Sequence, residues 1–448
     1  MKLSVIGAGL AGCEAAWQIA SRGIQVDLYE MKPLHYTPAH KNPDFAELVC
    51  SNSLKAERIS SAAGLLKEEM RRLGSLLMQC ADKSRVPAGG ALAVDRDIFS
   101  ALVTEQIHSH PLIRVHAEEV QSIPDGGIRV VATGPLTAQA LADDIAIFCA
   151  GSLSFYDAAA PIVTAESLDM DACFSASRYD KGGDDAYLNC PMNKEEYDRF
   201  YDALVSAERA PVHGFDVADP KVYEGCMPVE VMAGRGRDTL RFGPLKPVGL
   251  RDPKTGHRPW AVVQLRRENA AATLYNLVGF QTNLKFSEQK RVFGLIPALK
   301  NADFVRYGVM HRNTFVNSPK ILYPDFSLKA DPNLFFAGQL TGMEGYMESA
   351  ASGLMAGWNA AQRLLERETV VLPHETMIGA LCRYLVECDP AHFQPMGANF
   401  GILPPLGEQI RDKRVRYEAL AQRSLDMLLP YTKRNAAVMG GFSDENHC

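Results

Sequence analysis

LSVIGAGLAGCEAAWQIASRGIQVDLYE, residues 3–30, reads as strand, glycine turn, helix and strand in immediate succession. Leu3 to Ile6 is a short apolar run that leads into Gly7-Ala-Gly9-Leu-Ala-Gly12. Cys13 to Ser21 has helical spacing, Gly23 punctuates it, and Ile24 to Tyr29 forms a second apolar run ending at Glu30. This is the context a G-x-G-x-x-G pattern needs before it means anything. Gly7 permits the tight turn, Gly9 lets the backbone approach a pyrophosphate, and Gly12 lets helix pack on strand. The pyrophosphate would sit at the helix N-terminus, where unpaired N–H groups and the dipole favour an anion. Glu30 would accept hydrogen bonds from a ribose. A signal peptide is excluded, because Glu14 and Gln18 interrupt the apolar run and Arg22 closes it.

The glycine pattern extends to Ala16 and Gly23, a longer form that resembles FAD-binding proteins. A late segment should close over the flavin in such folds, and one is present. Asn333 to Gly338 reads as a buried strand ending in glycine, Gln339 to Gly345 as a polar glycine-rich loop, and Tyr346 to Ala361 as a helix of small residues. The N-terminus of that helix can face the pyrimidine edge of a flavin. Val130 to Pro135 supplies the Ala-Thr-Gly turn usual in these folds. The fold class expected is therefore α/β, a Rossmann-like FAD-binding domain of the glutathione-reductase type interrupted by an α+β insertion. The first part spans 1–164, the insertion 165–312, and the second part 313–448 with a helical C-terminal segment.

The 448 residues are 47% hydrophobic and 22% charged, ordinary globular values that exclude disordered, collagen-like and coiled-coil readings. No apolar run reaches the roughly 18 residues of a membrane span, so no membrane partner is expected. The ten cysteines include no C-x-x-C pair, which argues against a disulfide framework and for a reducing, cytoplasmic setting. No metal site is expected. Net charge is −6 but unevenly spread: residues 234–312 hold fifteen Lys and Arg against five Asp and Glu. A block of +10 within an acidic chain suits a polyanion partner, or else a charge-compensating interface or a solvated face.

Two cysteines stand out. Cys50 precedes Ser51, Asn52 and Ser53, capping residues ahead of a helical run expected from about Leu54 to Leu73, and a thiol at a helix N-terminus has its thiolate favoured. Cys226 sits between Gly225 and Pro228 in a tight turn. On composition alone the favoured reading of either is a small buried hydrophobe, because buried Cys is common. Cys13 is expected to pack against the sheet. The loop Pro87 to Arg96 combines two glycines with a charged pair, as a flavin-contacting loop would, and His311-Arg312 suits stacking on a heterocycle or holding a carboxylate.

Taken together, GAGLAGCEAAWQIA, ELVCSNSL, VPAGGALAVDR, ATGPLT, RFGPLKPVGL, LVGFQTNLK, RYGVMHRNT, AGQLTGMEGYMESAASG and FQPMGANFG strongly resemble one family. This is the family of bacterial folate- and FAD-dependent tRNA uracil-5 methyltransferases. The match runs from the first strand to about residue 405. The resemblance implies transfer of the methylene of 5,10-methylenetetrahydrofolate, via reduced FAD, to C5 of the T-loop uridine at tRNA position 54, with NADH or NADPH as reductant. It implies Cys226 as the catalytic cysteine, Cys50 as general base or alternate adduct-former, and His311 stacking on the folate pterin. It further places Tyr346 at the flavin mouth, with Gly7, Gly9, Gly12, Glu30, Gly338 and Gly345 around the cofactor.

On the tRNA side, Arg235, Arg237, Arg241, Lys246, Arg251, Arg266, Arg267, Lys285, Lys290 and Arg291 would face the backbone, where phosphate contacts give salt-dependent affinity. The target base would be flipped to reach the flavin. Arg411 to Arg416 is either a further phosphate contact or a solvated helical face. The wobble-uridine tRNA enzymes share the FAD domain but are longer. A plain NAD(P)H-dependent flavin oxidoreductase and a non-catalytic RNA-binding flavoprotein leave the folate motifs or the charge block unexplained. Oligomeric state is left open between monomer and homodimer.

Overall fold

The computed structural model describes residues 3–440 apart from 38, 150–151, 159, 181–186, 211–226, 270, 309 and 392. Five parallel strands form the first sheet: β1 (Leu3–Ile6), β2 (Val26–Glu30), β6 (Ile113–Ala117), β7 (Ile128–Val131) and β16 (Leu334–Phe336). Their spatial order is β16-β7-β1-β2-β6, and all four pairings are parallel. β1 and β7 are buried at every position, as strands covered on both faces must be. The sheet makes the architecture Rossmann-like. A crevice opens beyond the carboxyl ends of β1 and β7, because the chain leaves β1 toward β2 on one side and reaches β7 on the other.

Two helices pack over this sheet at backbone distance. A Cβ added to Gly353 would lie 2.1 Å from the Ala11 carbonyl oxygen, and one added to Gly357 would lie 2.5 Å from that of Ala15. The Leu10–Ala20 and Tyr346–Leu364 helices therefore run together, and both begin at the crevice. Small residues along one stripe permit this approach, and larger side chains would hold the axes about 8–10 Å apart.

The helix expected from Leu54 is replaced by strand and turn. Ser53–Ala56 is β3, which pairs with β5 (Ala91–Val94), and β5 also pairs with β4 (Arg85–Val86). The helix starts only at Ala62, capped by the Ser61 hydroxyl accepting from Gly64 N–H at 3.2 Å. Leu-Lys-Ala-Glu has good helix propensity, but pairing with a strand 38 residues away outweighs a preference of a few tenths of a kcal/mol per residue.

The second, six-stranded sheet has the order β10-β11-β12-β13-β9-β14. It is built from β9 (Ile162–Thr164), β10 (Phe174–Ser175), β11 (Leu188–Met192), β12 (Ala261–Arg267), β13 (Leu274–Leu277) and β14 (Phe304–Arg306), all antiparallel. Its own core centres on Tyr197, Phe200, Phe280 and Phe293. A two-stranded ribbon of β8 (Ser152–Ala158) and β15 (Met310–Val316) lies in sequence at both junctions with the parallel sheet.

The C-terminal helix, Lys413–Gly440, docks on the first core through polar anchors as well as Leu420, Leu425 and Leu428. Asn435 donates to the Leu73 carbonyl at 2.7 Å and accepts from Arg22. The Ser424 hydroxyl donates to Glu69, which also accepts from the N–H groups of Met377 (2.7 Å) and Ile378 (2.9 Å). Burial pushes the Glu69 carboxyl up to about 7. A folded-state value above the roughly 4.3 of an unfolded glutamate means its contribution is complete below about pH 4 and is lost as pH rises toward 7. Glu69→Gln is accordingly expected to flatten the fall in stability between pH 5 and 8, by up to about 3 kcal/mol. Urea titrations of both proteins at the two pH values would check this, and equal slopes would contradict it.

Candidate cofactor and catalytic site

The crevice beyond β1 and β7 is a cavity whose free space, including its open mouth, is about 1150 Å³. Gly7, Gly9, Glu30, Thr133, Gly338 and Tyr346 are among its lining residues. A Cβ on Gly9 would meet nothing within 4 Å, so the backbone there is bare toward the cavity. A Cβ on Gly12 would lie 1.7 Å from the Gly7 carbonyl oxygen, so helix and turn touch without side chains between them. The Leu10–Ala20 helix has no side-chain cap, which leaves its first N–H groups to an anion in the crevice. The Tyr346–Leu364 helix also lacks a side-chain cap and contributes Tyr346 and Ser349 to the lining. A bare glycine cradle and two uncapped helix starts fit a dinucleotide with an anionic pyrophosphate and an electron-accepting ring. The Glu30 carboxylate accepts from Ala8 N–H at 2.7 Å and Lys32 N–H at 3.0 Å, fastening the end of β2 to the glycine turn while lining the cavity.

At the cavity edge Tyr346 meets Cys50. The Tyr346 hydroxyl accepts from the backbone N–H of Cys50 (2.8 Å) and of Ser51 (3.2 Å) and stands 2.9 Å from the Cys50 sulfur. With both lone pairs engaged, its proton points at the sulfur. Burial, and then the neighbouring Cys50 charge, push the phenol well above its ordinary value, so it stays a donor. The expectation that Cys50 sits at a helix N-terminus fails, since the segment after it is β3. Its polar surroundings come instead from Tyr346 and from arginines on distant segments.

Other expected residues are placed differently. Gly12 and Gly345 shape the starts of the two helices without lining the cavity, and Gly345 has φ 123°. His311 lies in β15, its backbone paired with Asp157. Cys226 lies outside the described residues. None of residues 87–96 lines the cavity: Asp95 caps the Arg96–Ser109 helix, and Arg96 turns to the Leu48 carbonyl and to Glu268. Arg266 does not face a tRNA backbone. It is 6% exposed and donates to Asn52 Oδ1 (2.8 Å) and the Ser51 hydroxyl (2.7 Å). Both faces of β12 are covered, so its charges turn inward.

Arg241 lies half-buried over the Trp260 ring at 3.6 Å. Arg237, Lys285 and Arg291 are exposed but paired with Asp198 and Asp202, Glu208, and Glu288. Lys246, Arg251 and Lys290 are exposed with no carboxylate partner among the described residues. The inward arginine group of Arg96, Arg266 and Arg306 escaped the sequence reading. The alternation-free apolar run of β12 was the one local sign that Arg266 would be buried. No group of three or more His, Cys, Asp or Glu able to hold a metal ion occurs among the described residues. No helix among them is long and apolar enough to cross a membrane.

A family model described as glucose inhibited division protein A matches residues 2–368. The chain is 60% identical over 427 residues to a Pelotomaculum thermopropionicum protein named methylenetetrahydrofolate–tRNA-(uracil-5-)-methyltransferase TrmFO, covering 95% of this chain and 97% of that one. Proteins of the same name from Desulfitobacterium hafniense and Enterococcus faecalis are 61% and 58% identical, each over 95% of this chain and 97% of the relative. Among solved structures, Aquifex aeolicus GidA superposes with a TM-score of 0.69 at 16% identity, covering 99% of this chain and 76% of that one. That likeness supports the fold alone.

Proposed function

Because the chain belongs to the glucose inhibited division protein A family and, within it, groups with the methyltransferases named TrmFO, we propose that it is a tRNA (uracil-5-)-methyltransferase that uses methylenetetrahydrofolate. The finer reading is that the acceptor is the T-loop uridine at position 54. Bound FAD would supply the redox and one-carbon-carrying chemistry, with NADH or NADPH as the source of electrons. Residues 1–164 and 313–448 would form the FAD-binding part and 165–312 the insertion on the tRNA and folate side, a division supported by the two separate hydrophobic cores.

The chain's own residues have distinct tasks in this reading. Gly7, Gly9 and Gly12 bring the first helix N-terminus to the pyrophosphate. Glu30 and Gly338 bound the cradle, and Gly345 sets the start of the second helix. Uracil C5 is a poor nucleophile until C6 is attacked, so Cys226 is assigned to C6 and Cys50 to proton removal at C5 or to an alternate adduct. His311 is assigned to the folate pterin. Lys246, Arg251 and Lys290 are available to phosphates, with affinity that falls steeply with salt. The observation that carries the reading is the 2.9 Å contact between the Cys50 sulfur and Tyr346, a residue that also lines the cofactor cavity.

The test uses a T-arm minihelix, methylene-labelled 5,10-methylenetetrahydrofolate and NADPH, with label on uridine C5 read by nuclease digestion and mass spectrometry. Label is expected in ribothymidine, and is expected to vanish with Cys226→Ala and with a transcript lacking the T-loop uridine. No label from a protein that still binds flavin and oxidises NADPH would leave a plain flavin oxidoreductase.

A further inference from the structure

Guanidinium groups from two separate segments hold the Cys50 turn, and a third, half-buried one acts on it through its charge. Arg96, first residue of the Arg96–Ser109 helix, donates to the carbonyl oxygens of Leu48 (2.8 Å) and Val49 (3.4 Å). Its Nε stands 2.6 Å from Glu268, which is 4% exposed. Arg266, on β12, holds the Ser51 hydroxyl and the Asn52 amide oxygen on the far side of the cysteine. Arg306, at the end of β14, feels the charges of Arg96, Tyr346, Cys50 and Glu47. The Cys50 charge likewise acts on Arg96 and Arg266.

The charge count around the sulfur is lopsided. Among the described residues Arg96, Arg266 and Arg306 act on it through their charge, Glu268 is shared by two of them, and Glu47 is already drawn toward Lys32 at 3.8 Å. Arg96 Nη2 is enclosed and has no hydrogen-bond partner among the described residues. A guanidinium nitrogen shut away from water is costly unless an anion faces it. Besides Glu268, whose carboxylate lies at Arg96 Nε and is shared with Arg266, the ionisable groups acting on Arg96 among the described residues are Tyr346 and Cys50, and burial keeps the Tyr346 phenol protonated. With one carboxylate shared between two guanidinium groups, the sulfur is the place left for a second negative charge.

We propose that Cys50 rests as a thiolate at neutral pH and that Arg96 is the positioning residue that keeps it so. This deepens the role given to Cys50 in the proposed function, since a thiolate is ready to accept the C5 proton. The thiol proton leaves to solvent, and no oxidant or reductant is needed.

The test reads the thiol and not methyl transfer, so its failure is separate from failure of the methyltransferase reading. Flavin-loaded protein carrying Cys226→Ser is alkylated with limiting iodoacetamide between pH 5 and 10, and the Cys50 peptide is quantified by mass spectrometry. The midpoint is expected at least one unit below the roughly 8.5 of an ordinary thiol. Arg96→Gln is expected to raise it by one unit or more, a tenfold slower reaction at neutral pH, and Arg96→Lys to restore most of the difference. Glu268→Gln, which removes a negative charge, is expected to move the midpoint the other way. An unaltered midpoint at or above 8.5 overturns the proposal. So does an unmoved midpoint in a folded, flavin-loaded Arg96→Gln protein, or an upward shift in Glu268→Gln, which marks a purely structural role. Should Arg96→Gln fail to fold, the unaltered midpoint and Glu268→Gln decide between them.

Discussion

Tyr346→Phe is expected to lower the rate of methyl transfer about 10²-fold while leaving the flavin bound, on the scale of removing one positioned proton donor. The ring still fills its place at the start of the Tyr346–Leu364 helix, so the cavity keeps its wall. What disappears is one oxygen with three partners: the Cys50 sulfur and the N–H groups of Cys50 and Ser51. Two backbone donors lose their acceptor, which costs about 1–3 kcal/mol in total for partly buried groups. The Cys50 turn is then held by the arginines alone. Single-turnover rates with the T-arm minihelix, together with the flavin-to-protein absorbance ratio, would check this. A full rate with normal flavin content would show that the hydroxyl has no part in the chemistry.

The second large effect is expected from Gly12→Ala. The added methyl would lie 1.7 Å from the Gly7 carbonyl oxygen and 2.8 Å from its carbon, both backbone atoms that cannot turn aside. Relief requires the helix to lift from the turn, and the same helix is pressed on its other side against Gly353 and Gly357. The protein is expected to purify without flavin and to unfold at a lower temperature, with a loss of several kcal/mol, about the scale of an overpacked core. Gly9→Ala is the informative companion. Its methyl meets nothing within 4 Å, so the protein should fold normally and lose flavin affinity alone. Absorbance near 450 nm and thermal unfolding of the two variants would separate the effects, and equal behaviour would contradict the assignment of turn and cradle.

The three classes of misreading along the chain have one cause. Local propensity favours a helix over Leu54–Leu73, and roughly its first two turns are lost because β5 offers a strand partner. The Pro87–Arg96 loop was expected at the flavin because of its glycines, whereas β4 and β5 carry it to the Cys50 turn instead. Arg266 was counted with an outward basic face because a charge tally has no sense of direction, and β12 proves covered on both sides.

What the amino-acid order determined by itself is whatever its neighbours in sequence can enforce. The glycine spacing of residues 7–12 compels a turn and an uncapped helix start, the apolar runs on either side compel parallel strands, and the late small-residue helix announces a second element of the same domain. What only the tertiary structure decided is the chemistry around the thiol. Cys50 and Tyr346 are 296 residues apart, and Arg266 lies 215 residues from Ser51. Hydrogen bonds and unpaired charges act over a few ångströms and carry no trace along the chain. They come into being when sheet and insertion bring those side chains together.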